Sequence, residues 1–256
     1  MTTGTPGAVA SDLQSFCLFV GYPRSGHSVV GSLLDAHPDV SISHQADAMQ
    51  LVADGMGRDE LFATLLADSA RRAAEGRSQG KYSYAIEGQW QGRTRLLRVI
   101  GDCRGGKTSR QIVQDPTSAG RFAEVVGLPL RFVHVVRNPY DNIATLSRQP
   151  EHTLESAVKT YAFLADAVGG LLDRDEEPVL TLRHEGLVED PRAKLRQLCG
   201  FLDVEADEAW VEACAAIVFP SPRRTRETIE WSAADVDAVD AVIARHPFLE
   251  GYGLES

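Results

Sequence analysis

The sequence predicts one α/β domain in which a mostly parallel central sheet lies between layers of helices. Five short apolar runs, each bounded by glycine, proline or charged residues, alternate along the chain with longer segments of helical periodicity. The length of 256 residues suits a single domain, and 43% hydrophobic residues are ample for its core. We therefore predict a three-layer fold.

The five predicted strands are short and strongly apolar. Runs without polar alternation are typical of strands covered on both faces, as parallel strands usually are. The predicted strands cover residues 16–21, 39–43, 95–101, 130–136 and 178–182.

Apolar residues three and four positions apart predict the helices. These cover residues 28–36, 45–55, 58–76, 118–127, 139–148, 153–174, 191–202, 205–216 and 233–245. Two stretches fit neither pattern. Residues 77–94 predict an irregular excursion or a hairpin, and residues 217–231, with two prolines and three arginines, predict a basic lid loop that crosses over a site.

The overall charge excludes one broad class of function. The formal net charge is −10, whereas a general nucleic-acid binder needs a basic face. The longest apolar runs are far below the roughly 18 residues of a membrane span. We therefore expect no nucleic-acid partner and no membrane insertion, and a small anionic ligand that meets only the charges of its own pocket.

The N-terminus and the cysteines predict a cytoplasmic protein. Residues 1–14 are expected to form a flexible tail, because they lack the basic start and long apolar core of a signal peptide. The four cysteines lack C-x-x-C spacing, which favours buried, reduced thiols over a metal or redox site.

The first chemical motif follows the first strand, in the segment Gly21-Tyr22-Pro23-Arg24-Ser25-Gly26-His27-Ser28. It almost matches the phosphate-binding pattern G-x-x-x-x-G-K-[ST], with Gly21, Gly26 and Ser28 in place. His27 stands where the lysine is expected, and the cation comes earlier, at Arg24. A loop between a strand and a helix directs backbone amides at an anion. The displaced cation favours a phosphate ligand other than a magnesium-bound nucleoside triphosphate.

A second motif follows the fourth predicted strand. Arg137 comes where that strand ends, which is the edge at which open α/β sheets bind ligands. Pro139 suits the first turn of a helix, and Thr145 and Arg148 share a face of that helix. The alternative is a structural arginine that pairs with Asp141.

The third motif is the basic segment that contains Arg223, Arg224 and Arg226. Three arginines in four residues are unusual in so acidic a chain. They predict a clamp that binds phosphate through bidentate contacts. A solvated run of charges is the alternative.

Together these motifs resemble the sulfotransferases that use 3′-phosphoadenosine 5′-phosphosulfate (PAPS). The first loop is similar to the family's P-[KR]-S-G-T-[ST] loop, and the stretch from Arg137 to Thr145 is similar to its 3′-phosphate motif. Residues 182–191 resemble its R-Y-E-D-L-x-x-D-P segment, and residues 35–40 match an L-x-x-H-P stretch of many bacterial members. The resemblance spans about residues 16–231.

The resemblance implies a P-loop NTPase-like, three-layer fold for residues 15–256, taken as a single sulfotransferase domain. It also implies transfer of the sulfuryl group of PAPS to a hydroxyl or amine of a small-molecule acceptor, with adenosine 3′,5′-bisphosphate (PAP) as the product. No metal is expected. The acceptor is not identified, and a homodimer is left open.

The resemblance also implies roles for individual residues. The amides of residues 24–28 would hold the 5′-phosphate, and Arg24 and His27 would approach the bridging and sulfuryl oxygens as catalytic groups. His184 takes the position of an adenine-contacting tyrosine. The complete set of implied donor-binding residues is Arg24, Ser25, Gly26, His27, Ser28, Arg137, Thr145, His184, Arg223, Arg224 and Arg226.

The general base is the main departure from the family pattern. Gln45 stands where many members have a glutamate, and glutamine is no useful proton acceptor. His44 is our predicted base, because its reference pKa is near neutrality and it follows the second strand. Asp47, Asp102 and a reaction without a base are the alternatives.

Two other functions remain open at this point. Gln45 favours a nucleotide-binding member of the family without transfer activity. The phosphate-binding loop would also suit a P-loop kinase or NTPase, but the lysine before Ser28 is missing.

Overall fold

The computed structural model describes residues 12–79 and 82–256. The expected tail covers residues 1–14, and its residues 1–11 lie outside the described residues. The strands are β1 (Ser15–Gly21), β2 (Val40–Ser43), β3 (Ser78–Gln79), β4 (Tyr82–Ser83), β5 (Val99–Asp102), β6 (Leu130–Val136) and β7 (Val179–Arg183).

Helices connect the strands and cover the sheet. They are α1 (His27–Asp35), α2 (Ala48–Ala53), α3 (Arg58–Ala74), α4 (Gly105–Gln114), α5 (Ser118–Val126), α6 (Pro139–Leu146), α7 (Leu154–Arg174), α8 (His184–Glu189), α9 (Pro191–Leu202), α10 (Glu208–Ile217) and α11 (Ala233–Arg245). Short 3-10 turns cover Thr225–Thr228 and Pro247–Leu249.

Five strands form one parallel sheet in the order β2-β5-β1-β6-β7. The central strand β1 is buried throughout. Phe16 and Leu18 point to a core packed by α3, α5 and α7, while Cys17 and Phe19 point to a core packed by α1, α9 and α10. The predicted three-layer α/β fold is therefore confirmed.

All five predicted sheet strands are present, and the excursion at 77–94 contains the small β3–β4 hairpin. The third predicted strand is shorter than expected, because residues 95–98 are used to pair with the turn before β2: the amides of Arg95 and Arg98 donate to Pro38 and Asp39. Two helices, α4 and α8, were not predicted.

Glycines explain why α4 was missed. Gly105 and Gly106 open this helix, and glycine has a low helix propensity. They are needed there because a Cβ on Gly105 would lie 2.2 Å from the His27 ring, and one on Gly106 would lie 3.0 Å from Pro23. The start of α4 therefore packs directly on the loop after β1.

The carboxyl ends of the five parallel strands lie at one edge of the sheet. The loops after β1, β2, β5 and β6 and the start of α8 consequently meet there. The four cysteines are buried and unpaired. Within residues 12–79 and 82–256, no helix combines the length and the apolar character that a membrane crossing requires.

Candidate active site

A large cavity opens at this edge of the sheet, with a volume of about 1060 Å³. Its wall is formed by the loop after β1, the start of α4, the region around α6, the start of α8 and the lid segment, by which we mean residues 217–231. Seven cations and no carboxylates are found among the described residues that line it. The cations are Arg24, Arg104, Lys107, Arg110, Arg137, Arg148 and Arg223.

The loop after β1 is bound to α4 at one end and leads at the other into a helix that has no side-chain cap. The amide of Gly21 donates to Ser109 Oγ of α4 at 2.8 Å. Gly26 precedes α1 with a φ of 113°, a conformation that favours glycine, and no side chain caps the helix. The first amides of α1 therefore face the cavity without a side-chain acceptor. Arg24 is exposed at the rim of the loop, and Ser28 lines the cavity.

The side chains of two residues of this loop contact the backbone of β1 and of the loop itself. The fully buried Ser25 hydroxyl donates to the Tyr22 carbonyl at 2.9 Å and does not line the cavity. His27 Nε2 lies 3.1 Å from the Val20 carbonyl oxygen. Burial lowers the pKa of His27 to about 4, so the ring is uncharged at neutral pH. His27 also lines the cavity, so its expected approach to the sulfuryl oxygens would be that of a neutral hydrogen-bonding group.

Arg137 and Thr145 meet, as their spacing suggested. Arg137 Nη1 lies 3.3 Å from Thr145 Oγ1, and Nη2 lies 3.3 Å from Thr225 Oγ1 in the lid segment. Burial lowers the pKa of Arg137. Its Nε is buried and has no hydrogen-bond partner among the described residues. A buried donor without an acceptor is costly and indicates a place for a ligand oxygen.

The three arginines of the lid segment have different environments. Arg223 lines the cavity, and its carbonyl accepts from Arg137. Arg224 is exposed and lies 3.6 Å from Glu227.

Arg226 is buried and forms an ion pair with Asp141, which also accepts its amide at 2.9 Å. Arg226 therefore anchors the lid segment to α6 and does not reach the cavity. Asp141 has a structural arginine, but it is Arg226 and not Arg137.

His184 begins α8 and lies against the loop after β1. A Cβ on Gly26 would be 2.9 Å from His184 Nδ1, so only glycine allows this approach. Nδ1 is buried without a partner among the described residues. Burial lowers the pKa of His184 to about 4, which makes the ring a neutral hydrogen-bonding group.

The structure corrects the position of the expected base, His44. Gln45 lines the cavity, whereas His44 does not. His44 is buried, and its Nδ1 lies 4.0 Å from Cys103 Sγ. Burial, with Arg72 and Arg77 nearby, lowers the pKa of His44 to about 4. A buried, weakly basic imidazole that does not line the cavity is not suited to deprotonating an acceptor.

The two alternative bases are also engaged elsewhere. Asp102 is fully buried and accepts four hydrogen bonds, from the Ser43 hydroxyl and from the amides of residues 46–48, at 2.8–3.0 Å. It holds the loop after β2 in place. Asp47 lies 2.6 Å from Lys107 Nζ. Among the described residues, neither carboxylate lines the cavity.

One wall of the cavity is formed by α4, a helix that was not predicted. Arg104, Lys107 and Arg110 line it from α4 and the residue before that helix. Their spacing of three residues is a helical signal, but the two glycines between them led us to expect a turn. We call these three residues the α4 basic face.

Comparison with known proteins gives a consistent result. Residues 18–208 match the profile of the sulfotransferase family. No curated protein sequence matches the chain significantly.

Among solved structures, the sulfotransferase domain of an olefin synthase from Synechococcus PCC 7002 superposes with a TM-score of 0.61 at 18% identity, over 90% of this chain and 94% of that one. Sulfotransferase STF9 from Mycobacterium avium gives 0.59 at 12%, over 98% and 80%. The sulfotransferase domain from the curacin biosynthetic pathway gives 0.54 at 14%, over 92% and 98%. At these identities the structural likeness supports the fold alone.

Proposed function

The chain belongs to the sulfotransferase family, and we propose that its donor is PAPS and that its acceptor is the hydroxyl or amine of a small molecule. One observation carries this proposal. A cavity with seven cations and no carboxylate among its described lining residues lies at the binding edge of an otherwise acidic chain. Such a site suits a ligand with several negative charges.

Hydrogen-bond donors that line the cavity are suitably placed for the two phosphates of PAPS. The uncapped start of α1 offers amides to the 5′-phosphate. Arg137 Nε, together with Thr145 and Thr225, offers donors to the 3′-phosphate. His184 Nδ1 offers a neutral hydrogen-bonding group to the adenine. Arg223 would close the site from the lid segment.

PAPS supplies a sulfuryl group whose bond to the 5′-phosphate oxygen breaks while the acceptor bonds to sulfur. Arg24 is the group of this chain that stabilises the negative charge on the departing oxygen, because it is permanently charged and lines the cavity beside the loop amides. His27 supports the loop from beneath through its contact with the Val20 carbonyl. It acts as a positioning residue.

Release of the acceptor proton is assigned to no side chain of the described cavity wall. His44 does not line the cavity, Asp102 already accepts four hydrogen bonds, and Asp47 pairs with Lys107. We propose that an acceptor that is nucleophilic at neutral pH reacts through positioning, with water taking the proton. We further propose that residues 15–256 act as one domain in the cytoplasm.

The direct test is calorimetric titration with PAP in EDTA, beside ATP with Mg²⁺. We expect PAP to bind without metal and more tightly than Mg-ATP. Arg137→Gln should weaken PAP binding. The matched control is Arg192→Gln, because Arg192 is an exposed arginine on α9 that pairs with Glu212 away from the cavity. Binding of Mg-ATP alone would refute the choice of donor.

One observation favours a second function, in which the chain binds the nucleotide without transferring the group. No carboxylate lines the described cavity, and Gln45 takes the place of the expected base. Transfer of label from radiolabelled PAPS to a mixture of phenols, alcohols and amines separates the two functions. PAP binding with no labelled product from any acceptor would favour the second.

A further inference from the structure

The α4 basic face lies on the opposite side of β1 from the residues that fit the donor. In the sheet order β2-β5-β1-β6-β7, Arg137 follows β6 and His184 follows β7. The α4 basic face instead follows β5, and Gln45 follows β2. The loop after β1 separates the two sides, so the β2–β5 side is left for the acceptor.

On this side of the cavity, the positively charged side chains outnumber the carboxylates that pair with them. Lys107 pairs with Asp47 at 2.6 Å. Arg104 Nη1 donates to the carbonyl and the side-chain oxygen of Gln45, at 3.3 and 3.2 Å, both of which are uncharged. The guanidinium of Arg110 lies 5.3 Å from the centre of the Phe163 ring. In the part of the chain that the structure describes, neither arginine has a carboxylate partner.

We infer that the acceptor is an anion and that the α4 basic face holds its carboxylate, sulfonate or phosphate group. This inference rests on the proposed function. Guanidinium groups bind such oxyanions through paired, charge-assisted hydrogen bonds. The start of α4 adds the positive end of a helix at Gly105 and Gly106. An uncharged acceptor would leave these cations uncompensated beside the donor.

The apolar part of the wall limits the shape of the acceptor. Tyr84 and Phe219 line the same cavity, and aromatic surface favours a flat or apolar body. The acceptor class is therefore a hydroxyl or amine on an apolar body that carries a separate oxyanion.

A matched pair of fluorescent probes tests this inference by binding. We would titrate 6-hydroxynaphthalene-2-sulfonate and 6-hydroxynaphthalene-2-sulfonamide into the protein saturated with PAP. The two probes have nearly the same shape and differ in charge. We expect the sulfonate to bind at least about tenfold more tightly, as charge-assisted contacts predict. Added salt should narrow the difference in affinity, because Lys107 and Arg110 are exposed to solvent and Arg104 is partly exposed.

Variants assign the preference to residues. Arg104→Gln and Arg110→Gln should each bring the affinity for the sulfonate towards that for the sulfonamide, with PAP affinity unchanged. Arg192→Gln is again the control, because it removes the same charge away from the cavity.

Three outcomes would overturn the inference: equal or undetectable binding of both probes, a preference that both variants retain, or a loss of PAP affinity in these variants with probe binding unchanged. The last would assign the α4 basic face to the donor. Failure of the wild-type protein to bind PAP is a different result, since it refutes the donor and not the anionic acceptor. In that case the two probes are compared in the protein without PAP.

Discussion

The two sides of the cavity are built differently. On the β6–β7 side, Arg137 contacts Thr145 and Thr225, and Arg226 ties the lid segment to Asp141. On the β2–β5 side, the contacts that the described residues make with the guanidinium groups of Arg104 and Arg110 come from uncharged groups. One side is a network fixed before any ligand arrives, and the other is a row of cations on an exposed helix face.

This difference suggests a division of tasks. A preorganised network suits a ligand that never changes, because its groups need no rearrangement when the ligand binds. Exposed cations on a helix surface, as Lys107 and Arg110 are, can accommodate ligands of different shape and select them mainly by charge. We call the β6–β7 side the fixed side and the β2–β5 side the adaptable side. The donor is therefore expected on the fixed side and the acceptor on the adaptable side.

The largest effect on activity is expected where the two sides meet, at Arg24. Arg24→Ala should lower the transfer rate by about 10²–10³-fold, because it removes a cation from the charge that develops on the departing oxygen. Arg24 is exposed, so the unfolding transition should stay close to that of the wild type. The measurement is single-turnover transfer from radiolabelled PAPS. A rate near the wild-type value would remove Arg24 from the mechanism.

The fixed side should lose stability when its anchor is broken. Arg226→Gln leaves Asp141 buried without its charged partner, which typically costs about 3–5 kcal/mol of unfolding free energy. Arg224→Gln is the control within the same segment, since Arg224 is exposed and its pair with Glu227 is worth less than about 1 kcal/mol. Urea denaturation of both variants measures the contrast. Equal losses would mean that the lid segment is not anchored through Arg226.

The two sides should also separate in binding experiments. Arg137→Gln removes charge-assisted donors to a phosphate, and we expect PAP affinity to fall about 10-fold to 100-fold. The preference for the sulfonate probe should persist in this variant, because the α4 basic face is intact. Titration of PAP and of both probes gives the comparison. A parallel loss of both affinities would indicate one continuous site.

The smallest effect is expected at His44, and it concerns stability instead of rate. The folded protein holds the pKa of His44 near 4, below the ordinary value of about 6.5. The unfolded chain therefore takes up the proton first, and stability is lost as the pH falls from about 6.5 to about 4. His44→Gln should flatten this pH dependence and leave the transfer rate within about twofold. His27 and His184 titrate in the same range, so the test is the difference between variant and wild type. A large loss of rate would restore His44 as the base.

The fold and the fixed side were predictable because their signals are local. Strand β1 is an unbroken apolar run, and Arg137 and Thr145 lie eight positions apart across one strand end and one helix. The partner of Arg226 could not be predicted in this way, because Asp141 lies 85 positions away in the sequence. Only the folded chain shows which arginine of the lid segment is already neutralised.

The adaptable side was less predictable because the backbone there leaves the regular pattern. Gln45 and Asp47 have φ values of 65° and 69°, so strand alternation no longer decides which side chain faces the cavity after Ser43. Asp102 enforces this path through four hydrogen bonds from distant residues. The sequence contains one usable signal, the three-residue spacing of Arg104, Lys107 and Arg110.

The close packing of α4 on the loop after β1 also bears on protein engineering. One face of the helix is fixed, because Gly105 and Gly106 leave no room for a side chain and Ser109 holds the Gly21 amide. Lys107 and Arg110 project from the open face into the cavity. Saturation mutagenesis confined to these two positions would vary the charge presented to acceptors while the loop beneath is kept. A small combinatorial library could thus redirect acceptor choice without rebuilding the donor pocket.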